Sequence, residues 1–381
     1  MASIFFPNET TINGLLAAFA VGYLARPLGG IIFGHFGDTY GRKWAFTYSV
    51  FIMAIATFCI GLIPSYHTIR IIAPILLILF KILQGTSIGG EIPGAMTYIS
   101  EFYPQNPARA TSVIFCFLIS GMSIAYLVQG SLMVIYSRQE IINWAWRLPF
   151  FLGGVFGIIA FYLRKKLTEI PQFTPYINPK QPFPMVEVLK KHWQSVILTT
   201  IITGFGAIII VSLFTFLPAY LIKLLHYNPK NMIWISAFSV FSAGLSCLIF
   251  GWLSDKTQRL WLLVSLIIAI FIFAFPIFYI YSHEIILYPI SLAVSALLVG
   301  LCWGNIPAIL SNAFPSAIRY SGIGLSYNLG FGIIGGLSPL ILLSSIKWSQ
   351  STMAPAYVLI IASLICLLIL IILKRHLQAK N

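Results

Sequence analysis

The chain has 381 residues, 59% of them hydrophobic, 15% aromatic and only 8% charged, with a mean hydropathy of +0.92. A soluble domain carries about 25% charged residues, so this chain cannot cover a water-facing surface, and disordered, collagenous and disulfide-scaffold classes fall with the soluble one. A net charge of +14 would point to nucleic acid in a soluble chain; in a membrane chain it fits loops held against an anionic leaflet.

A membrane-spanning helix needs about 20 mostly apolar residues. Eleven such blocks run along the chain, near 11–33, 44–63, 71–99, 110–135, 148–163, 195–220, 232–253, 260–281, 286–310, 321–344 and 354–373. The reading is an all-α polytopic membrane protein. Most connections are short, so neighbouring helices run antiparallel. One connection differs: from Arg164 to Lys191 the chain is polar, holds Pro171, Pro175, Pro179, Pro182 and Pro184, and carries Arg164, Lys165, Lys166, Lys180, Lys190 and Lys191. It reads as a linker. The expected organisation is a helical bundle over 1–163, a linker over 164–194, a second bundle over 195–373 and a tail over 374–381.

Loop charge sets the orientation. One set of loops holds Arg42, Lys43, Arg109, the linker cations, Lys256, Arg259, Arg319, Lys374, Arg375 and Lys380; the other holds Arg70, Arg138, Arg147, Lys223, Lys230 and Lys347. The richer set is expected to be cytoplasmic, which with an odd number of spans puts the C-terminus inside and the N-terminus outside. Residues 1–33 lack a basic leader and are interrupted by Arg26-Pro27, unlike a cleavable signal. Cys59, Cys116, Cys247, Cys302 and Cys366 all fall within spans, with no metal-ligand spacing. No phosphate loop, nucleophile elbow or His/Glu motif occurs, so neither enzyme chemistry, a metal nor a cofactor is expected.

Two loops echo each other. Gly34, Asp38 and Arg42 recur as Gly251, Asp255 and Arg259, each at four-residue steps and 217 residues further on. Glycine permits close helix contact and a tight turn, the aspartate can receive the positive N-terminal end of a neighbouring helix, and the arginine anchors the loop. An offset of more than half the chain implies two homologous halves.

With these loops the chain resembles the major facilitator superfamily, whose signature loop reads G-x-L-A-D-x-x-G-R followed by Lys or Arg. Within it the sequence is similar to the metabolite:proton symporter branch that includes bacterial proline/betaine transporters. The stretches that carry the resemblance are Arg26-Pro27-Leu28-Gly29-Gly30, Gln84-Gly85-Thr86-Ser87-Ile88-Gly89-Gly90-Glu91, Trp144-Ala145-Trp146-Arg147-Leu148-Pro149-Phe150, Glu169-Ile170-Pro171-Gln172-Phe173, Phe314-Pro315-Ser316-Ala317-Ile318-Arg319-Tyr320-Ser321, Tyr327-Asn328 and Pro355-Ala356-Tyr357. It implies two six-helix bundles. Matching the signature loop makes 11–33 the family's second helix, so the first helix is expected to be missing. Gln258 replaces the usual glycine of the second loop, which predicts a looser turn. Lys81 replaces the usual arginine of R-x-x-Q-G, and the antiporter signature is absent from 110–135, which favours symport.

Ionisable groups inside a membrane are costly and face a cavity or a partner. Arg26 is either a structural tie or a positive site for a substrate carboxylate. Lys81, Gln84 and Glu91 fall on one arc of roughly 80° of their helix, with Lys81 near mid-membrane and Glu91 near the cytoplasmic side, as a proton acceptor or as the partner of a basic residue. Gly34, Asp38, Gly41, Arg42, Glu101, Arg109, Gly251, Asp255, Arg259 and Arg319 belong to the cytoplasmic edge, where the resemblance implies gating. Arg147 beside two tryptophans reads as an interfacial anchor. Trp303, Asn305, Tyr327 and Asn328 lie on helices that line or flank the pathway in the family, as do Phe205, Phe214, Phe216 and Tyr220, whose rings could hold a quaternary ammonium.

The expectation is a proton-coupled symporter of a small zwitterionic osmolyte such as proline or glycine betaine, working by alternating access in a bacterial inner membrane. The proton is the coupling ion and no cofactor is involved. The partners are a small-molecule substrate and the lipid bilayer, without nucleic acid. The alternatives are a symporter of an organic acid such as α-ketoglutarate, which Arg26 and Lys81 would suit, and a non-transporting remnant.

Overall fold

With no water in a bilayer core, a spanning segment must satisfy its backbone amides within itself, and apolar runs of this length do so as helices. The computed structural model describes residues 2–6, 20–171, 173, 175–177, 183–225, 227, 229–283 and 287–373. The longer helices are α1 (Arg26–Tyr40), α2 (Arg42–Leu62), α3 (Ile72–Phe102), α4 (Pro107–Ile135), α5 (Leu148–Lys165), α6 (Pro184–Lys191), α7 (Trp193–Ile210), α8 (Pro229–Lys256), α9 (Arg259–His283), α10 (Tyr288–Asn312), α11 (Arg319–Tyr327), α12 (Gly336–Ser349) and α13 (Ala354–Leu373). No strand occurs among the described residues. Ten helical runs there are long and apolar enough to cross a membrane, and they match the last ten expected blocks. The first block, 11–33, lies partly outside the described residues, which enter it as helix at residue 20. The tail with Lys374, Arg375 and Lys380, together with Lys180 in the linker, also lies outside them.

Local chemistry sets the ends. Pro107 opens α4, and prolines sit in the first turn of α1, α5 and α10, where a missing N–H costs nothing. Two stretches depart from α-helix: Val211–Thr215 continues α7 as a π-helical turn, and Asn328–Gly335 joins α11 to α12 in the same way. The linker is less plain than its proline content suggests. Arg164 and Lys165 form the last turn of α5, and α6 is an amphipathic helix with Val188 fully buried.

The chain forms two compact units. One comprises Met1–Tyr98, Ser131–Lys191 and Ser316–Asn328; the other comprises Ile99–Gly130, His192–Pro315 and Leu329–Asn381. Each thus contains a segment of the opposite sequence half. In the first unit α1 and α3 approach until backbone meets backbone: a Cβ on Gly89 would fall on the Arg26 carbonyl, and one on Gly29 on that of Thr86. At the end away from the signature loop, Phe5 packs edge-on to Trp146 at 5.1 Å, within a buried cluster with Ile60, Ile63 and Leu77. Arg147 adds a hydrogen bond to the Ile63 carbonyl at 3.1 Å. In the second unit α8 and α10 pack closely, a Cβ on Gly300 falling on Ser246.

These contacts predict opposite responses to adding a methyl. Gly89→Ala should destabilise the protein by about 1–3 kcal/mol through overpacking. Gly121→Ala, where a Cβ meets nothing within 4 Å, should stabilise it by up to about 1 kcal/mol through helix propensity. Thermal unfolding in detergent measures both.

Candidate functional site

The first four N–H groups of a helix have no partner within it, and its N-terminus carries a partial positive charge. Helix α11 begins without a local side chain that caps it, and both α4 and α11 take an acceptor from the opposite sequence half. The Asp38 carboxylate, fully buried, accepts from the backbone N–H of Tyr320 at 3.1 Å and of Ser321 at 2.9 Å, the second and third residues of α11. Asp255 accepts from Ala108 at 3.1 Å and Arg109 at 2.7 Å, the second and third residues of α4. The sequence repeat is therefore a repeated act of capping, each aspartate replacing a local cap worth typically about 1 kcal/mol.

Each aspartate has its arginine one helical turn on. Arg42, 1% exposed, pairs with Asp38 and donates to the carbonyls of Gly37 at 2.7 Å and Ser316 at 2.5 Å. Its guanidinium also lies 5.3 Å from the centre of the Phe173 ring. Arg259 donates to Asp255 at 3.0 Å. The glycines make room: a Cβ on Gly34 would press on Ser321, and one on Gly251 on Ser112.

The linker completes the first loop. Glu169 accepts from the backbone N–H of Arg42 at 3.1 Å and of Lys43 at 3.2 Å, capping α2. Gly41 holds a positive φ of 126° directly beneath that carboxylate. Tyr176 donates its N–H to the Asp38 carbonyl at 2.9 Å and its hydroxyl to Glu187 of α6 at 2.8 Å, and Phe183 lies 5.0 Å from His35. In the sequence Glu169 stands only within a family stretch, with no role of its own. The signal for its role was a glycine at a helix start with no acceptor nearby. The second loop lacks this arrangement. Gln258 does not adopt positive φ, so its turn needs no glycine and is not loosened by having none.

Asn305, expected on the pathway, belongs to the second loop. Fully buried, it accepts from the Ser254 hydroxyl at 2.7 Å and donates to the Arg259 carbonyl at 3.0 Å. Arg109 contributes its backbone to this loop while its side chain is exposed, and Glu101 and Arg319 are half-buried at the ends of α3 and α11.

Tyr327 and Asn328 are buried where α11 meets α1 and α3. Pro93 lies inside α3 and has no N–H to offer the carbonyl four residues back, which is that of Gly89. Asn328 Nδ2 supplies the missing donor at 2.7 Å, and the Tyr320 hydroxyl donates to the next carbonyl, Gly90, at 2.8 Å. Arg26 sits 4.0 Å from the centre of the Tyr23 ring and within electrostatic reach of Tyr327.

The polar arc of α3 divides in two. Lys81 Nζ donates to Gln84 Oε1 at 3.0 Å, Gln84 Nε2 to the Thr57 hydroxyl at 2.7 Å, and Thr57 to the Met53 carbonyl at 2.7 Å. No carboxylate of the described residues pairs with Lys81. Glu91 stands apart, paired at 2.7 Å with Arg164 of α5, whose guanidinium also lies over the Phe46 ring at 3.8 Å. In the second unit Trp303 is buried against Phe115. Phe205, Phe214, Phe216 and Tyr220 are buried as well, and the Tyr220 hydroxyl ties helix ends together through Thr352 and Ser282.

The sequence profile of the Major Facilitator Superfamily matches residues 1–339. Over 396 residues the chain is 33% identical to a proline/betaine transporter of Salmonella typhimurium, covering 98% of this chain and 78% of that one. A glycine betaine/proline/ectoine/pipecolic acid transporter of Dickeya dadantii is 32% identical with the same coverage. Among solved structures, a proton:xylose symporter bound to 6-bromo-6-deoxy-D-glucose superposes with a TM-score of 0.72 at 15% identity, covering 97% of this chain and 87% of that one; the likeness is one of fold.

Two double-mutant experiments test the geometry. Asp38→Ala strands the Arg42 charge and should destabilise by about 3–5 kcal/mol, whereas Asp38→Ala with Arg42→Met should lose less than the sum of the two single changes. Asn328→Leu leaves the Gly89 carbonyl without its donor, at about 1–3 kcal/mol; Pro93→Ala restores the intrahelical donor and should recover most of that loss. Chemical or thermal unfolding in detergent reads the single and double variants of both cycles.

Proposed function

Because the chain belongs to the Major Facilitator Superfamily and is a membrane transporter and not an enzyme, we propose that it carries a small zwitterionic osmolyte of the proline or glycine betaine kind together with a proton. The observation that carries this reading is the Lys81–Gln84–Thr57 chain. An ammonium inside a membrane helix, hydrogen-bonded to a neutral amide and to no carboxylate among the described residues, is stabilised by any carboxylate brought to it, because desolvated charges attract strongly. Gln84 and Thr57 fix its position, each donating onward in one direction. A zwitterion supplies that carboxylate without adding net charge, and the similar transporters of proline, glycine betaine and related compounds point to the same class.

Glu91 is the proposed proton carrier. It is the acidic side chain in the membrane-spanning part of α3, half-buried and paired with Arg164, and protonation dissolves that pair. Transport then proceeds by alternating access in an inner membrane, the signature loops and the tail facing the cytoplasm, as the loop charges suggest. A second reading is an organic-acid symporter, because Lys81 and Arg26 would hold a dianion as well.

Cells expressing the chain should take up labelled proline or glycine betaine, and an uncoupler should abolish accumulation. Uptake of α-ketoglutarate in place of both would establish the second reading, and uncoupler-insensitive accumulation would overturn proton coupling. Lys81→Met should raise KM at least tenfold and Lys81→Arg far less. Glu91→Gln should remove accumulation while leaving substrate exchange.

A further inference from the structure

Arg42, Arg259 and Arg164 are each spent on a carboxylate. Arg109 is not. Its backbone N–H goes to Asp255 at 2.7 Å, but its guanidinium is exposed and pairs with no carboxylate of the described residues. That side chain lines a cavity of about 500 Å³ where α3 turns into α4. Ile99, Tyr103, Asn106, Val113 and Ile114 line it too, all of them from the second unit. Because Asp255 of the second signature loop holds the Arg109 backbone, the cavity lies at the signature-loop end of α4.

The lining changes character along the helix. Tyr103 and Asn106 belong to the turn between α3 and α4, closed by the Asn106 N–H on the Tyr103 carbonyl at 3.2 Å, and Arg109 is in the first turn of α4. Their side chains offer a phenol O–H, an amide NH₂ and a guanidinium, all hydrogen-bond donors. No carboxylate lines the cavity. Glu101 is half-buried and outside the lining, and Asp255, also outside it, is already shared between two backbone N–H groups and Arg259. Beyond Arg109 the outward face turns apolar. Val113, one turn on, is 43% exposed, and Phe117, a further turn on, is 74% exposed; at 1.5 Å per residue they lie about 6 and 12 Å deeper in the membrane than Arg109. Thr111, Ser112, Phe115 and Cys116, between and beside them, are buried.

We propose that this cavity is the docking site of an anionic phospholipid from the leaflet on the signature-loop side. Its phosphate sits on Arg109, Asn106 and Tyr103, and an acyl chain runs along Val113 and Phe117. A guanidinium matches the geometry of a phosphate with two parallel N–H···O bonds, and basic pockets between spanning helices suit lipid headgroups. A soluble anion would use the arginine and leave the apolar stripe to other lipids; a neutral apolar ligand would leave the arginine without a counter-charge. An amphiphile uses both. Net negative charge matters because a zwitterionic headgroup already neutralises its own phosphate, whereas the Arg109 charge has no such partner in the cavity. The residue that holds the phosphate with its side chain is the one whose backbone Asp255 caps, so the bound lipid steadies the start of α4 and with it the folded state.

The test uses the full chain in detergent, with dioleoyl phosphatidylglycerol, dioleoyl phosphatidylcholine or inorganic phosphate added. Phosphatidylglycerol should raise the unfolding midpoint by about 4 °C, as a ligand of the folded state does, and phosphatidylcholine far less. Arg109→Gln should remove most of that shift and Arg109→Lys only part of it. Lys165→Gln, which takes an exposed cation from the last turn of α5, should leave the shift whole. A shift that phosphatidylcholine matches, or that falls equally in Arg109→Gln and Lys165→Gln, overturns the site. Equal protection by inorganic phosphate overturns the lipid as its occupant. Should Arg109→Gln prove too unstable to purify, native mass spectrometry of Val113→Ser decides the question through the acyl contact. Its retention of phosphatidylglycerol over phosphatidylcholine should fall about threefold from the wild-type ratio, and an unchanged ratio overturns the proposal.

Discussion

A helix that begins inside a protein in a membrane leaves backbone N–H groups pointing at an interior where water cannot answer them. Helix α11 is in that position and α4 stands at its margin, with Arg109 exposed; the chemistry of both is completed by carboxylates from more than a hundred residues away. Much else follows. A buried carboxylate needs a cation, so Arg42 is drawn in to 1% exposure; a buried guanidinium needs acceptors, so the Gly37 and Ser316 carbonyls turn to it. Glycines stand wherever these backbones must pass within reach of one another.

The two capping sites are alike in principle and unequal in construction. The first is sealed: its aspartate and arginine are buried, Glu169 caps the next helix, and Tyr176 and Phe183 lie over it. The second is open by comparison, with Arg259 about a quarter exposed and Asn305 and Ser254 providing neutral hydrogen bonds.

How much of this could be read from the amino-acid string depends on range. Apolar runs give the helices, and the spacing of Gly34, Asp38 and Arg42 against Gly251, Asp255 and Arg259 gives the repeat and even the idea that an aspartate meets a helix end. Which end it meets could not be read, because the acceptor's partners are backbone amides at 108–109 and 320–321, and amides have no letter. For the same reason Asn305 was expected on the pathway and Pro93 was not connected to Asn328: a proline's missing donor is visible in the sequence, but the residue that replaces it 235 positions later is not. Glu91 shared a helical arc with Lys81 and Gln84, yet the last turn of α5 brings Arg164 to it, and the arc splits. The amphipathic α6 was hidden in a stretch whose prolines spoke for a plain linker.

The turn at Gly41 has a consequence of another kind. Its φ of 126° is one that side chains rarely adopt, and the space where a Cβ would go is filled by the Glu169 carboxylate. Every single-base change of a glycine codon that alters the residue installs a Cβ or ends the chain. No one-step replacement at this position keeps both the turn and the carboxylate above it. A lineage that loses this glycine must therefore rebuild the start of α2 and the linker together, and the two segments, 127 residues apart at Arg42 and Glu169, are bound to change as one.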